Sequence, residues 1–263
     1  MSGVLPEQRI KPTRINPKIL VLYGMPKVGK TGVVAQLNDC LILDTEGGAE
    51  MYECRRMPVT SIDGDIVRND DGDITSIGFN KVYDAILQDG LDQIAAGKKV
   101  QFPYKFLVID TLDKLEDYCE VSATKKYKSS TIGKTFEGAS VLELPQGSGY
   151  YHLRNEVIGQ IEKMASVCKY LILITHIKEK TLNKGGIDVS SKDISLTGKL
   201  GSMVCAKADG IGYLYWDAKK QMMVSFETNE SAVMGARFKR LAGKRFPFDW
   251  KEIYLNEENL VIE

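Results

Sequence analysis
Apolar residues along this 263-residue chain fall into two alternating patterns. Short continuous runs stand at 18–23, 40–44 (Cys-Leu-Ile-Leu-Asp), 105–110 (Lys-Phe-Leu-Val-Ile-Asp) and 169–175 (Lys-Tyr-Leu-Ile-Leu-Ile-Thr), the form of parallel strands covered on both faces. Between them apolar side chains return at i, i+3, i+4, i+7. Phe79, Val82, Tyr83, Ile86, Leu87, Leu91 and Ile94 predict a helix over 79–97, and Val157, Ile161, Met164 and Ala165 a second, with all of these positions filling the core. The alternation predicts an α/β fold, a mostly parallel central sheet flanked by helices. Asp71-Gly72, between Ile66-Val67-Arg68 and Ile74-Thr75-Ser76-Ile77, predicts a hairpin inserted at about 60–78. Beyond 209 the pattern alternates, from Ile211 to Trp216 and from Met222 to Phe226 with a turn at 217–220, which predicts antiparallel strands at the C-terminal sheet edge. The domain is expected over 18–263, with 1–17 as an N-terminal arm.

Composition narrows the class. A hydrophobic share of 43% and a charged share of 27% are those of a soluble globular chain. Five cysteines, an odd number without a C-x-x-C pair, argue for reduced thiols rather than a disulfide framework or zinc site. No apolar stretch of about 18 residues stands in the sequence, so a cytoplasmic protein without a membrane partner is expected. The zero net charge is segregated: residues 60–92 hold eight Asp against Arg68 and Lys81, whereas 122–154 hold five basic against two acidic residues and 178–207 hold six Lys against three acids. The basic segments are where a polyanion would be sought, although each alone is also the composition of a solvated loop.

The chemistry begins at residues 24–31, Gly24-Met25-Pro26-Lys27-Val28-Gly29-Lys30-Thr31, a complete G-x-x-x-x-G-K-[ST] phosphate loop entered from an apolar strand. Its glycines let successive backbone N–H groups close on phosphate oxygens, with Gly32 continuing into a helix whose positive end adds to the field. Lys30 would neutralise the β- and γ-phosphates of ATP, and the Thr31 hydroxyl would ligate Mg²⁺. Asp110 ends a buried strand in the manner of the second nucleotide motif and would hold the Mg²⁺ shell; a simple helix cap is the plainer reading. No acid follows Asp110 directly. Glu46, in Asp44-Thr45-Glu46-Gly47-Gly48 after the second strand, is therefore the candidate base for the attacking water.

Taken together, these segments with Ile174-Thr175-His176-Ile177-Lys178 and Ala208-Asp209-Gly210-Ile211-Gly212-Tyr213 resemble the RecA-like ATPases, and among them the phage-encoded minimal RecA-core proteins of single-strand annealing and recombination, over about residues 17–255. The resemblance implies a water-activating Glu46 and a fourth strand threaded between the phosphate-loop strand and the Asp110 strand. It makes His176 a γ-phosphate sensor where RecA has glutamine. It also places two DNA-contacting loops at about 128–149 and 177–197, with Lys126, Lys128, Lys134, Tyr150, Lys178, Lys180, Lys184 and Lys192 as candidate contacts. ATP would lie between subunits of a ring or filament, with Arg237 as the candidate trans-acting finger and Lys239 beside it. The implied partners are single-stranded DNA, further copies of the chain and a single-strand-binding protein, in the cytoplasm of a bacterial host. Two other readings use the same loop. A small-molecule kinase is disfavoured because 177–207 carry no arginine for a lid, and a nucleotide-gated interaction module or packaging-type DNA motor would have no intrinsic preference for single strands.

Overall fold
The computed structural model describes residues 8–184, 187–228 and 232–262, with the backbone alone over 180–184 and 187–190. In chain order the elements are β1 (Ile19–Gly24), α1 (Lys30–Ala35), β2 (Cys40–Asp44), β3 (Arg56–Ser61), β4 (Val67–Arg68), β5 (Ile74–Gly78), α2 (Phe79–Ala95), β6 (Phe106–Asp110), α3 (Leu112–Ser129) and α4 (Gly149–Ser166). They continue with β7 (Tyr170–Lys184), β8 (Ile187–Ile194), α5 (Leu200–Lys207), β9 (Gly210–Trp216), β10 (Met222–Ser225), β11 (Gly235–Ala236), β12 (Arg245–Pro247) and α6 (Trp250–Ile253).

The described strands join one sheet in the order β12-β10-β9-β1-β7-β6-β2-β3-β5-β4. β1, β7, β6, β2 and β3 run parallel, and β7 lies between β1 and β6. Successive side chains of these strands point to opposite faces, so each continuous apolar run feeds two cores. Val21, Tyr23, Leu107, Ile109, Leu171 and Leu173 pack with Phe79, Leu115, Val157 and Ile161 on one side. On the other, Leu20, Leu22, Ile42, Val108 and Ile172 pack with Val33, Val34, Trp250 and Ile253. Among the described residues no helix is long and apolar enough to cross a membrane.

Two expectations change. The segment 177–197, read as a loop, is mostly a β-hairpin: β7 runs to Lys184 and pairs antiparallel with β8, from Ile177 opposite Ile194 to Lys184 opposite Ile187. Its sequence is mostly polar, with Ile177, Ile187, Val189 and Ile194 set among four Lys, so no apolar run marks it as a strand pair. At the other edge β9 joins β1 in parallel, and β9 and β10 pair antiparallel as expected, with Met222 opposite Trp216. The stripe on α2 is core only in its first half, where Phe79, Val82 and Ile86 are buried, while Leu87, Leu91 and Ile94 are exposed because the helix runs on past β3 and β5, the strands it packs against.

Candidate nucleotide site
The strand register sets the site. Gly24 lies opposite His176 across β1–β7, Asp110 opposite Ile174 across β6–β7, and Asp44 opposite Asp110 across β2–β6. The carboxyl ends of four neighbouring parallel strands therefore deliver one residue group each to a single edge, where open α/β sheets bind ligands. A cleft of about 420 Å³ there is lined by Pro26, Lys27, Gly29, Lys30, Thr31, Asp44, Glu46, Asp110, Thr111 and His176 among others.

The phosphate loop needs its glycines for space and for handedness. A Cβ on Gly24 would stand 2.6 Å from the Leu214 carbonyl oxygen of β9. Gly29 has φ of 106°, a left-handed conformation that a side chain would strain. α1 begins at once after it and is only six residues long, so its dipole contribution is smaller than a full helix would give. The buried Lys30 ammonium donates to the carbonyls of Gly24 (3.1 Å) and Met25 (2.9 Å). Burial lowers its pKa, partly offset by Asp110, Asp113 and Glu46.

Thr31 and Asp110 meet. The Thr31 hydroxyl donates to Asp110 Oδ2 at 2.7 Å, and burial pushes the Asp110 carboxyl up to about 6 against the opposing effect of that bond, with Asp44 and Glu46 adding to the rise. Hard oxygen donors with excess negative charge in a desolvated pocket fit a divalent cation, and Thr31 and Asp110 would hold Mg²⁺ here.

Glu46 is placed by a network around it. Asp44 is buried, and its carboxylate accepts the backbone N–H groups of Glu46 (3.2 Å), Gly47 (2.8 Å) and Ala49 (3.0 Å), which folds the turn. The Thr111 N–H donates to Thr45 Oγ1 at 2.7 Å, and the Thr111 hydroxyl donates to Glu46 Oε1 at 2.9 Å. The start of α3 thus holds the loop that carries the acid. His176 lies across the cleft with Asp113 of α3 beside its ring, Nδ1 to Oδ2 at 2.6 Å. Glu46, Asp113 and His176 bring potential ligand atoms within 4.8 Å of one another.

A family profile described as an AAA domain (AAA_24) matches residues 16–238. The chain belongs to this AAA-domain family. No curated protein matches it. Among solved structures, a KaiC-like protein from the hyperthermophilic archaeon Pyrococcus horikoshii OT3 is similar, with 13% identity and a TM-score of 0.41 over 90% of this chain and 87% of that one. The mostly parallel sheet flanked by helices, with β7 between β1 and β6, is the expected α/β architecture, and this AAA-domain protein has the complete G-x-x-x-x-G-K-[ST] sequence at residues 24–31, where β1 ends.

The other residues singled out in the sequence do not gather at this cleft. Arg237 follows β11, which pairs with the start of β9, the end away from the phosphate loop. Its guanidinium reaches Asp209 at 3.3 Å and the Ala206 carbonyl. Lys126 Nζ is 2.7 Å from both oxygens of Glu156, Lys178 donates to the Leu196 carbonyl, and Lys192 donates to the Tyr213 hydroxyl at 3.2 Å. Lys128 stands 5.8 Å over the Phe136 ring, and Lys134 is exposed. The side chains of Lys180 and Lys184 lie outside the described residues. Tyr150 packs against Gly198, 3.7 Å from where a side chain there would begin, so the segment before α4 and the segment after the hairpin meet at its ring.

Sequence reading missed Asp113, Thr111 and an apolar cleft beside the loop. That cleft is lined by Gly32, Val33, Tyr52, Trp216, Met222 and Phe248. The Trp216 indole donates to the Val28 carbonyl inside the loop at 3.0 Å, and the buried Trp250 indole to Val33 of α1 at 2.8 Å. A signal for Asp113 was present: it stands three residues after Asp110, in the first turn of the helix that follows the motif strand.

Proposed function
We propose that the protein is a Mg²⁺-dependent ATPase that binds single-stranded DNA and acts in annealing or strand pairing, assembled so that neighbouring copies complete each other's ATP sites. The observation that carries the hydrolytic part is the convergence of Lys30, Thr31, Asp110, Glu46 and His176 on one cleft formed by the ends of β1, β2, β6 and β7.

The triphosphate lies in the loop, and Lys30 leaves the Gly24 and Met25 carbonyls to meet it. Bound Mg²⁺ supplies charge neutralisation at the phosphates from its place on Thr31 and Asp110. Glu46, oriented by Thr111, takes a proton from the attacking water. His176 hydrogen-bonds the terminal phosphate and so distinguishes ATP from ADP. The apolar cleft at Tyr52, Trp216 and Met222 receives the base, whose flat faces suit aromatic and thioether surfaces.

The DNA part rests on the two basic segments flanking α3, α4 and the hairpin, which come together at Tyr150. An aromatic ring amid glycines and lysines suits unstacked bases and a phosphate backbone. Exposed Lys128 and Lys134 are ready contacts; Lys126, Lys178 and Lys192 would first exchange their partners within the chain. The motif resemblance to phage recombination proteins supports the same reading. Arg237, or exposed Lys239, acts as the finger toward a neighbour, Arg237 after leaving Asp209.

The test is ATP turnover with no DNA, with single-stranded and with double-stranded DNA, alongside DNA binding at several salt concentrations. Stimulation by single strands with salt-sensitive binding is the expected result. Absence of turnover removes the ATPase assignment, and stronger stimulation by duplex favours a DNA motor.

A further inference from the structure
The His176 ring reaches the cleft from β7, yet its orientation is fixed from α3. Asp113 accepts the His176 backbone N–H at Oδ1 (3.3 Å), and its Oδ2 lies 2.6 Å from ring Nδ1. Both oxygens of one carboxylate therefore serve one residue. An ionised carboxylate only accepts hydrogen bonds, so Nδ1 carries a hydrogen and Nε2 is left as the ring's working atom. Neutral, that atom accepts a bond from water; protonated, it donates to a phosphate oxygen. Glu46 is close by, but it accepts the Thr111 hydroxyl at 2.9 Å, and both Asp113 oxygens are engaged with His176. These hydrogen bonds make the trio a positioning network rather than a vacant ligand set.

We propose that Asp113 is a positioning residue for hydrolysis: it fixes the rotamer and tautomer of His176 so that Nε2 addresses the terminal phosphate, and acts on the rate without touching the nucleotide. The proposal rests on the ATPase reading above. An acid in the first turn of a helix also stabilises that helix through its dipole, a role independent of any ring at 176. The two roles separate in a double-mutant cycle, because an effect exerted through His176 disappears once His176 is gone.

The cycle compares wild type, Asp113→Ala, His176→Ala and the double variant in single- and multiple-turnover ATP hydrolysis, with thermal unfolding of each. Asp113→Ala is expected to lower kcat by about 10–100-fold with KM for ATP changed by less than about twofold, and to lower it by less than about twofold when His176 is already Ala. Asp113→Asn keeps the side-chain volume and guards against a folding failure. Its amide oxygen replaces only one of the two carboxylate oxygens that serve the backbone N–H and Nδ1, and its NH2 can only donate, so it too is expected to slow wild type and leave the His176→Ala chain unaffected. Equal losses in both backgrounds overturn the proposal while leaving the ATPase reading intact. A wild-type chain that does not turn over ATP overturns the reading and the proposal with it.

Discussion

The floor of the nucleotide cleft and the β7–β8 hairpin rise from the same sheet edge but are built on different principles. On the floor, polar groups are held by other polar groups at short range: Lys30 by loop carbonyls, Thr31 by Asp110, Asp44 by three backbone N–H groups, Glu46 by Thr111. In the hairpin, the described lysines that would meet DNA are held by the chain's own carbonyls and hydroxyls, Lys178 on Leu196 and Lys192 on Tyr213. The acids of the floor, Asp44 and Glu46, are oriented before a ligand arrives, and there only Lys30 and Thr31 exchange internal partners for it. The hairpin must trade internal partners for external ones, so its affinity for a polyanion is the difference between two sets of similar contacts.

The sharpest way to break this contrast is at Lys30. Replacing Lys30 with Ala is expected to reduce ATP turnover by roughly 10²–10³-fold while leaving the thermal midpoint near wild type, since the ammonium acts on charge developing at the phosphates. Steady-state ATPase assays with parallel melting curves check it.

Next in size is Asp110, where preorganisation works against stability. In the folded chain its carboxyl titrates at about 6, above the roughly 3.9 of an unfolded chain. A value raised on folding means that the group's contribution is fully present below about pH 4 and lost as pH rises through 6. Asp110→Asn should therefore make the nucleotide-free protein more stable at pH 8, by at most about 3 kcal/mol, with the advantage vanishing near pH 4. Chemical denaturation at both pH values reads this directly. ATP turnover should fall in the same variant.

Smaller again is the bond from Trp216 to Val28. Trp216→Phe removes one hydrogen bond worth about 1 kcal/mol and should weaken ATP binding by about fivefold, with little change in kcat. Titration calorimetry measures it. The smallest effect tests the other basic segment, at α3 and just after it: Lys134→Ala should lower the slope of log affinity against log salt for single-stranded DNA by about 1, whereas Lys126→Ala, already paired with Glu156, should change it little.

These differences also explain what could be read from the sequence. The candidate nucleotide loop is eight consecutive residues and the strand-end acids follow from short buried runs, so local pattern was enough to single out Gly24 to Thr31, Glu46 and Asp110, which the structure brings to one cleft. The parallel core was legible for the same reason, and the position of β7 came with the family resemblance. What escaped depends on pairing at long range. The hairpin at 177–194 was hidden because its alternation is largely among polar residues, although Gly185-Gly186 is a two-residue turn signal in the sequence. The exposed half of α2 obeys the same period as the buried half, and periodicity cannot say where the sheet beneath a helix ends. Asp113 and Trp216 are single polar contacts to partners 63 and 188 residues away, beyond any local rule.

Helix α3 ties several strand ends together. Along its first two turns Thr111 steers Glu46, Asp113 steers His176, Glu116 accepts the Thr197 N–H just beyond the hairpin, and Tyr118 reaches the Thr45 carbonyl. One rigid rod thus holds four levers that belong to three different strands. A small rocking of that helix would move the Glu46 turn, the His176 ring and the base of the β7–β8 hairpin in step.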